Sequence, residues 1–122
     1  MYRVSKEIEF SAAHAIRGHL GGCENMHGHN WRVRATVEAT KLDDMEMVID
    51  YKELKGILKS IAEKLDHKYI NEIEPFIKKN PTSENIARFF FDELAGAIND
   101  GRRRVALVEV WETERNRAEY SE

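Results

Sequence analysis

Three histidines and the only cysteine of this chain fall close together near its start. His27 and His29 are separated by a single glycine, Cys23 lies four residues before His27, and His14 precedes all three. Side chains in an extended strand alternate between two faces, so His27 and His29 point the same way. Two imidazoles side by side on one face are typical metal ligands, and zinc is the metal that this spacing suits best.

Two predicted strands would bring the third histidine to this pair. The first strand covers residues 2–14 and places His14 on one face with four apolar residues: Val4, Ile8, Phe10 and Ala12. The second strand begins near His27, and its odd positions carry His27 and His29 and then apolar residues from Trp31 to Ala39. If the two strands pair in antiparallel fashion, the three imidazoles meet at the rim of an apolar core.

Three neutral imidazoles would leave zinc with an open fourth position, as in catalytic sites, whereas structural sites are usually closed by four protein ligands. Cys23 could supply that fourth ligand, so a structural zinc site is the main alternative. Three separately satisfied histidines are a further alternative. Near a dication the pKa of a thiol falls, and its thiolate becomes available as a base or nucleophile. We therefore interpret Cys23 as a candidate catalytic residue.

Three carboxylates are further candidates. Asp66 precedes His67 and could orient that imidazole for general acid–base chemistry, although an Asp-His pair at a helix end is common for structural reasons. Glu112 is expected on the apolar face of its strand, where a carboxylate is either paired or recognises a ligand. Its two oxygens match a heterocycle that offers a ring N–H beside an exocyclic amine. Glu109 lies on the opposite face and is expected to be solvated or at an interface.

Two helices follow the first two strands. Apolar residues at helical spacing predict a helix over 50–65, with Asp50 as its N-cap and Glu53 completing a capping box. The segment 80–84 predicts the start of a second helix, which ends near 99–101. Strands are then expected over 105–113 and on to Tyr120. The order β-β-α-α-β-β predicts an α+β fold with two helices on one face of a four-stranded antiparallel sheet. Because such a sheet has exposed edges, we expect edge pairing between subunits to close an oligomeric barrel.

Composition sets the broad class. The 122 residues are 42% hydrophobic and 34% charged, which predicts one globular domain over 1–122. No apolar run approaches the ~20 residues of a membrane helix, and the net charge of −3 gives no footprint for nucleic-acid binding. A single cysteine and a start without an apolar signal segment predict a cytoplasmic protein with neither membrane nor nucleic-acid partners. The basic run 102–104 is expected to be a solvated turn.

Five segments, taken in order, resemble the 6-pyruvoyl-tetrahydropterin synthase superfamily, and most closely its 6-carboxytetrahydropterin synthase branch. They are Phe10-Ser11-Ala12-Ala13-His14, the run from Cys23 to Asn30, the run from Leu65 to Asn71, the run from Pro81 to Ala87, and Trp111-Glu112-Thr113. The three residues between Cys23 and His27 favour this branch over the pyruvoyl enzymes, which typically have a longer gap. Glu24 lies where a third branch, proposed for folate synthesis, places a glutamate near the cysteine position.

The resemblance implies a tunnelling fold (T-fold), in which subunits form a trimeric barrel and two trimers stack into a hexamer with active sites at subunit interfaces. It also implies roles for individual residues. Zinc would be held by His14, His27 and His29; Cys23 would abstract a proton, with Asp66 and His67 as its relay; Glu112 would anchor the pterin, in a pocket lined by Thr82, Ser83 and Glu84.

The implied activity is that of a zinc-dependent lyase acting on 7,8-dihydroneopterin triphosphate. The products would be 6-carboxy-5,6,7,8-tetrahydropterin, acetaldehyde and triphosphate, in 7-deazapurine (queuosine or archaeosine) biosynthesis. The alternatives are elimination of triphosphate to 6-pyruvoyl-tetrahydropterin, side-chain cleavage towards a folate precursor, and a zinc-stabilised oligomeric binding module without catalysis. Cations that could meet the triphosphate are Arg17, Lys68 and the run 102–104.

Overall fold

The computed structural model describes residues 1–18 and 24–122, and it has the predicted order of strands and helices. The elements are β1 (Tyr2–His14), β2 (His27–Ala39), α1 (Tyr51–Ala62), α2 (Ser83–Ile98), β3 (Arg103–Trp111) and β4 (Arg117–Ser121), with a one-turn 3₁₀ helix (Ile70–Glu72) between the two α-helices. The strands form one antiparallel sheet in the order β1-β2-β3-β4. This confirms the α+β architecture.

The pairing of β1 with β2 is the feature that builds the site. Their register sets His14 opposite His27 and Ala12 opposite His29. Because residues two apart share a face of the sheet, all three imidazoles project from the same side. The predicted convergence of the histidines is therefore confirmed.

The same face carries the core. Trp31 is fully buried next to the histidines, and its indole nitrogen donates a hydrogen bond to the carbonyl oxygen of Ala12 at 3.2 Å. The Trp31 ring lies edge-on to His14 and His29, with centroids 4.9 and 5.3 Å apart. Helices α1 and α2 cover the rest of this face with Leu54, Leu58, Ile86, Phe90 and Leu94, all fully buried. The histidines therefore pack against a close-packed apolar core.

The first helix begins as predicted but is capped differently. Asp50 accepts a hydrogen bond from the Lys52 amide at 2.7 Å, as an N-cap should. The capping box is wrong, since the Glu53 carboxylate binds the Arg103 guanidinium at 2.9 and 3.2 Å. A charged partner on β3 competes better for this side chain than a backbone amide. Helix α1 ends at Ala62, and residues 63–66 continue as turns.

Two further expectations are corrected on β3. The strand starts at Arg103, so the run 102–104 is not a solvated turn: Arg102 donates to the carbonyls of Lys41 and Val48, at 3.0 and 2.9 Å. Glu109 is not solvated, being only 8% exposed, and it pairs with Arg117 at 3.0 Å, whereas its place at an interface stays a prediction. In both cases a long arginine side chain crosses to a neighbouring segment, which local sequence patterns do not reveal.

Within the part of the chain that is described, no helix has the length and apolar character that a membrane crossing requires. The cytoplasmic location stays a prediction.

Candidate metal centre

Four side chains meet at the ends of three strands. His14 is the last residue of β1, His27 and His29 open β2, and Glu112 directly follows β3. One ligand atom from each lies within 4.8 Å of the corresponding atoms of the other three, so the group could hold a metal ion. His14 is almost fully buried, and the other three side chains are 19–31% exposed. The group is therefore partly open to solvent among the described residues.

Glu112 points its carboxylate into the middle of the histidines. Its Oε1 lies 2.8 Å from Nε2 of His29, 3.1 Å from Nε2 of His14 and 3.9 Å from Nε2 of His27. The sequence predicted Glu112 on the apolar face, but not this direct approach, because the strand was expected to continue to Thr113. The strand instead ends at Trp111, and the Glu112 amide donates to the carbonyl of Asn116 in a turn.

Hydrogen bonds outside the group fix which nitrogen of each ring carries its proton. Nδ1 of His14 lies 2.7 Å from the carbonyl oxygen of Pro81, and Nδ1 of His27 lies 2.8 Å from that of Asn25. A carbonyl oxygen can only accept, so both Nδ1 atoms carry hydrogen. In the neutral rings Nε2 is then a free lone pair, and it faces the Glu112 carboxylate. This second set of partners is typical of histidines that bind metals.

The third histidine, His29, also directs a ring nitrogen at the Glu112 carboxylate. Its Nε2 is buried and forms no hydrogen bond with suitable geometry among the described residues, although Oε1 of Glu112 lies 2.8 Å away. Burial lowers the pKa of His29 below its ordinary value; Glu112 opposes this shift, and the two other histidines add to it. Burial therefore favours the neutral ring, whose lone pair is a metal ligand.

These donors fit a divalent transition metal. The salt-bridge partners of Glu112 among the described residues are the three histidines. Lone pairs and a carboxylate that face one another repel unless a cation or additional protons lie between them. Three imidazole nitrogens and a carboxylate oxygen are a ligand set that zinc accepts.

Asp66 and His67 form a second, separate pair beside β1. Nδ1 of His67 lies 2.9 Å from Oδ1 of Asp66, and the same oxygen accepts the Ser11 amide at 3.0 Å. The Ser11 amide is the main cause that lowers the pKa of Asp66, followed by His67, so this carboxylate is ionised at neutral pH. His67 has φ of 58° and a side chain that is 81% exposed. An exposed, oriented imidazole can move protons in solution.

An open cleft of about 550 Å³ connects the two groups. His29 and His67 both line it, together with Lys68 and Tyr69. Of the other predicted phosphate contacts, Arg17 directs its guanidinium to the carbonyls of Phe76 and Asn71, at 2.8 and 3.2 Å. Lys68 lines the cleft, and its Nζ donates to the Glu63 carbonyl oxygen at 3.3 Å.

The start of α2 touches the metal group through its backbone. Thr82 caps the helix, its hydroxyl oxygen accepting the Asn85 amide at 3.1 Å, while Ser83 is its first residue and Glu84 is exposed. The direct contact with a histidine comes from Pro81, which precedes them. The sequence did not predict the roles of the Pro81 and Asn25 carbonyls or of Ser11, because backbone groups leave no residue-type signal. Cys23 lies outside the described residues, so its role stays a prediction.

Comparisons with known proteins agree with these features. The family model described as 6-pyruvoyl tetrahydropterin synthase matches residues 3–122. The chain is 31% identical to a 6-carboxy-5,6,7,8-tetrahydropterin synthase from Haemophilus influenzae over the full length of both proteins. It is 36% identical to the enzyme of that name from Synechocystis, with 89% of this chain and 87% of the relative covered.

Solved structures give the same fold. A 6-pyruvoyl tetrahydropterin synthase from Caenorhabditis elegans superimposes with a TM-score of 0.89 at 24% identity, covering 99% of this chain and 95% of that one. A Plasmodium falciparum protein of that name gives a TM-score of 0.78 at 23% identity, with 99% and 97% covered. These similarities confirm the predicted T-fold of the subunit. Together with the family match over residues 3–122, they show that the chain belongs to the 6-pyruvoyl tetrahydropterin synthase family.

Proposed function

We propose that this protein is a zinc-dependent lyase that converts 7,8-dihydroneopterin triphosphate into 6-carboxy-5,6,7,8-tetrahydropterin, acetaldehyde and triphosphate. The conversion takes up one water molecule and needs no external oxidant or reductant. The product serves 7-deazapurine biosynthesis. The names of the Haemophilus and Synechocystis relatives support this branch of the family.

The observation that carries the proposal is the meeting of His14, His27 and His29 around the Glu112 carboxylate, with ligand atoms within 4.8 Å of one another. We propose zinc as the ion for this group, held by the three imidazoles. Bound there, zinc supplies Lewis acidity that makes the hydroxyl groups of the substrate side chain easier to deprotonate. The burial of His14 and the carbonyls that hold Nδ1 of His14 and His27 keep these ligands oriented.

Proton movement is assigned to Cys23, Asp66 and His67. Asp66 holds Nδ1 of His67 at 2.9 Å, which leaves Nε2 of His67 to exchange a proton at the cleft. The ionised Asp66 also fixes the orientation of the imidazole, as a relay requires. Cys23 is proposed as the group that takes a proton from the substrate side chain.

Substrate recognition is assigned to Glu112 and to the start of α2. Oε1 of Glu112 faces the histidines, whereas Oε2 makes no hydrogen bond within the described part of the chain. A partly exposed carboxylate whose second oxygen has no hydrogen bond can accept hydrogen bonds from a pterin ring and its amine. Thr82, Ser83 and Glu84 are proposed to line the same pocket, and Lys68 to meet the triphosphate at the cleft.

The assembly is proposed to be a hexamer of two stacked trimers, in which each chain contributes residues 1–122 as one domain. Strands β1 and β4 are the two edges of the sheet. On β1, segment 67–69 already covers the end of the strand, through hydrogen bonds from the His67 amide to Ser11 and from the Ala13 amide to Lys68. The earlier part of β1 is free to pair with β4 of another subunit, which would close a barrel and remove the exposed edges.

Product identity tests the proposal. Purified zinc-loaded protein would be incubated with 7,8-dihydroneopterin triphosphate, and the products analysed by mass spectrometry together with an acetaldehyde assay. We expect equal amounts of acetaldehyde and carboxytetrahydropterin. A product that keeps the whole three-carbon side chain and appears without acetaldehyde would instead identify triphosphate elimination.

The Cys23→Ala variant separates catalysis from a structural zinc site. We expect zinc content and oligomer size to stay unchanged while kcat falls by about 10²–10⁴-fold, the usual loss when an acid–base group is removed. Zinc analysis, gel filtration and turnover measure the three properties. Loss of zinc and of the assembly in this variant would support the non-catalytic binding module.

A further inference from the structure

His14 differs from His27 in where its outer hydrogen-bond partner comes from. Nδ1 of His27 meets the carbonyl of Asn25, only two residues earlier in the chain. Nδ1 of His14 meets the carbonyl of Pro81, 67 residues away, at 2.7 Å in a buried position. The state of the His14 ring therefore depends on how firmly the fold holds Pro81.

An asparagine directly before Pro81 ties it to the end of β1. The side-chain amide of Asn80 donates to the Arg17 carbonyl at 3.0 Å, and its oxygen accepts the Arg17 amide at 3.0 Å. Asn71 makes the same two-sided contact with Ala15, at 2.9 and 2.8 Å. Ala15 and Arg17 lie one and three residues after His14, so both asparagines clamp the backbone that leaves this ligand.

Further contacts make these clamps one unit. The Arg17 guanidinium donates to the carbonyls of Asn71, Phe76 and Lys79, at 3.2, 2.8 and 3.3 Å. The Asn85 side chain, in the first turn of α2, donates to the Asn80 carbonyl at 2.9 Å. Segment 71–80, the end of β1 and the start of α2 are thereby held together around the Pro81 carbonyl.

We infer that Asn80, assisted by Asn71, is a positioning residue for the metal ligand His14. By holding the Pro81 carbonyl against Nδ1, it keeps the proton on that nitrogen and leaves Nε2 as a lone pair facing His27 and His29. The competing tautomer carries its proton on Nε2, which lies 3.1 Å from Oε1 of Glu112 and would donate to that carboxylate. A ring in that state cannot bind a metal through Nε2. This inference rests on the proposed metal site but not on the reaction.

The test compares Asn80→Ala with Asn99→Ala. The Asn99 side chain accepts the Val105 amide at 2.8 Å just past the far end of α2, so its loss also removes a side-chain-to-backbone hydrogen bond. Zinc affinity would be measured by competition with a chromophoric chelator. We expect Asn80→Ala to bind zinc about 10–100-fold more weakly, the usual effect of removing an outer partner of a metal ligand, and Asn99→Ala to bind it like the wild type.

A second measurement reads the tautomer itself. Nitrogen-15 NMR of metal-free protein should show a single His14 tautomer, protonated on Nδ1, in the wild type and a mixture of two in Asn80→Ala. Equal zinc affinity in the two alanine variants, or an unchanged single tautomer in Asn80→Ala, would overturn the inference. If Asn80→Ala does not fold, Asn80→Asp keeps the acceptor for the Arg17 amide and should show an intermediate loss of zinc affinity; wild-type affinity in that variant would then overturn the inference.

Both measurements use binding and spectroscopy, so their result does not depend on which product the enzyme forms. A protein that yields another pterin could still show the Asn80 effect, and failure of the Asn80 effect would leave the product assignment intact.

Discussion

Two buried polar clusters lie at opposite ends of the same three strands, and they differ in how their charges are balanced. At one end, Glu38 on β2 is only 3% exposed. Its carboxylate accepts one hydrogen bond from Nε of Arg3 on β1, at 2.9 Å, and another from Nε of Arg104 on β3, at 2.7 Å. At the other end, Glu112 meets the three histidines. The first cluster contains its own cations, whereas the second brings together a carboxylate and imidazole lone pairs.

This difference separates a structural cluster from one that is built for a ligand. Glu38 is satisfied within the chain, and the hydrogen bonds of Arg104 and Arg3 lower its pKa, so it is ionised and paired at neutral pH. The histidine cluster has no such cation among the described residues, and its ligand atoms could hold a metal ion. A buried polar group is therefore informative about function when its charge partner is not supplied by the described residues.

The largest expected effect is the loss of zinc and activity when one histidine of the Glu112 cluster is removed. His29→Ala removes one of three imidazoles, so zinc should be lost and kcat/KM should fall at least about 10³-fold, corresponding to the several kcal/mol that a metal ion contributes to catalysis. Metal analysis and turnover measure this, and circular dichroism should show an intact fold. Glu38→Gln is the matched control and should keep both zinc and activity; equal losses in the two variants would remove the distinction between the clusters.

Zinc bound at the three histidines should stabilise the folded state. At a free concentration 100 times Kd, zinc bound only to the folded state should raise the free energy of unfolding by about 2.7 kcal/mol. Denaturant unfolding with and without a chelator measures this, with His29→Ala as the control that should show no increase. Because the core does not depend on the ion, the chelated protein should keep its sheet, and wholesale unfolding on chelation would contradict this account.

Glu112→Gln tests what the carboxylate contributes within the cluster. As a pterin anchor, its loss should raise KM about 10–100-fold, the cost of a charge-assisted hydrogen bond of about 1.5–3 kcal/mol, while zinc remains bound. Steady-state kinetics and metal analysis together give the answer. Loss of zinc with an unchanged KM would make Glu112 a metal ligand and not an anchor.

The smallest effect belongs to the structural cluster. Glu38→Gln should lower the free energy of unfolding by only about 1–2 kcal/mol at neutral pH, since Arg3 and Arg104 are largely exposed and can be rehydrated. The folded-state pKa of Glu38 lies below its ordinary value of 4.5, so its contribution is complete above that value and is lost as the pH falls through the folded pKa. Unfolding curves of the wild type and the variant should therefore converge at acid pH; a difference that persists there would contradict the ionic explanation.

The sequence was sufficient for the features that depend on local periodicity. Alternation in β1 and β2 predicted that His14, His27 and His29 share a face, and the structure pairs them in that register. Helical spacing, the capping residue Asp50 and the start signal in segment 80–84 predicted where α1 and α2 begin. These features depend on one strand or helix and its neighbour, so short patterns carry them.

The features that the sequence missed depend on long side chains or on backbone groups far away in the chain. Arg103 takes Glu53 from its capping role, and Arg102 binds carbonyls more than 50 residues away. The Pro81 carbonyl reaches His14 only because the fold brings the start of α2 to the end of β1. Tertiary contacts of this kind leave no spacing signal, which is why the convergence of the histidines was predictable and the contacts that support it were not.

A crystal structure of the zinc-loaded protein, with anomalous scattering measured at the zinc edge, shows whether the three histidines hold the ion. We expect one zinc peak per chain, bonded to Nε2 of His14, His27 and His29 at about 2.0–2.1 Å, with a further position that water or substrate can occupy. A zinc peak away from these rings, or an ion closed off by four protein ligands, would contradict it.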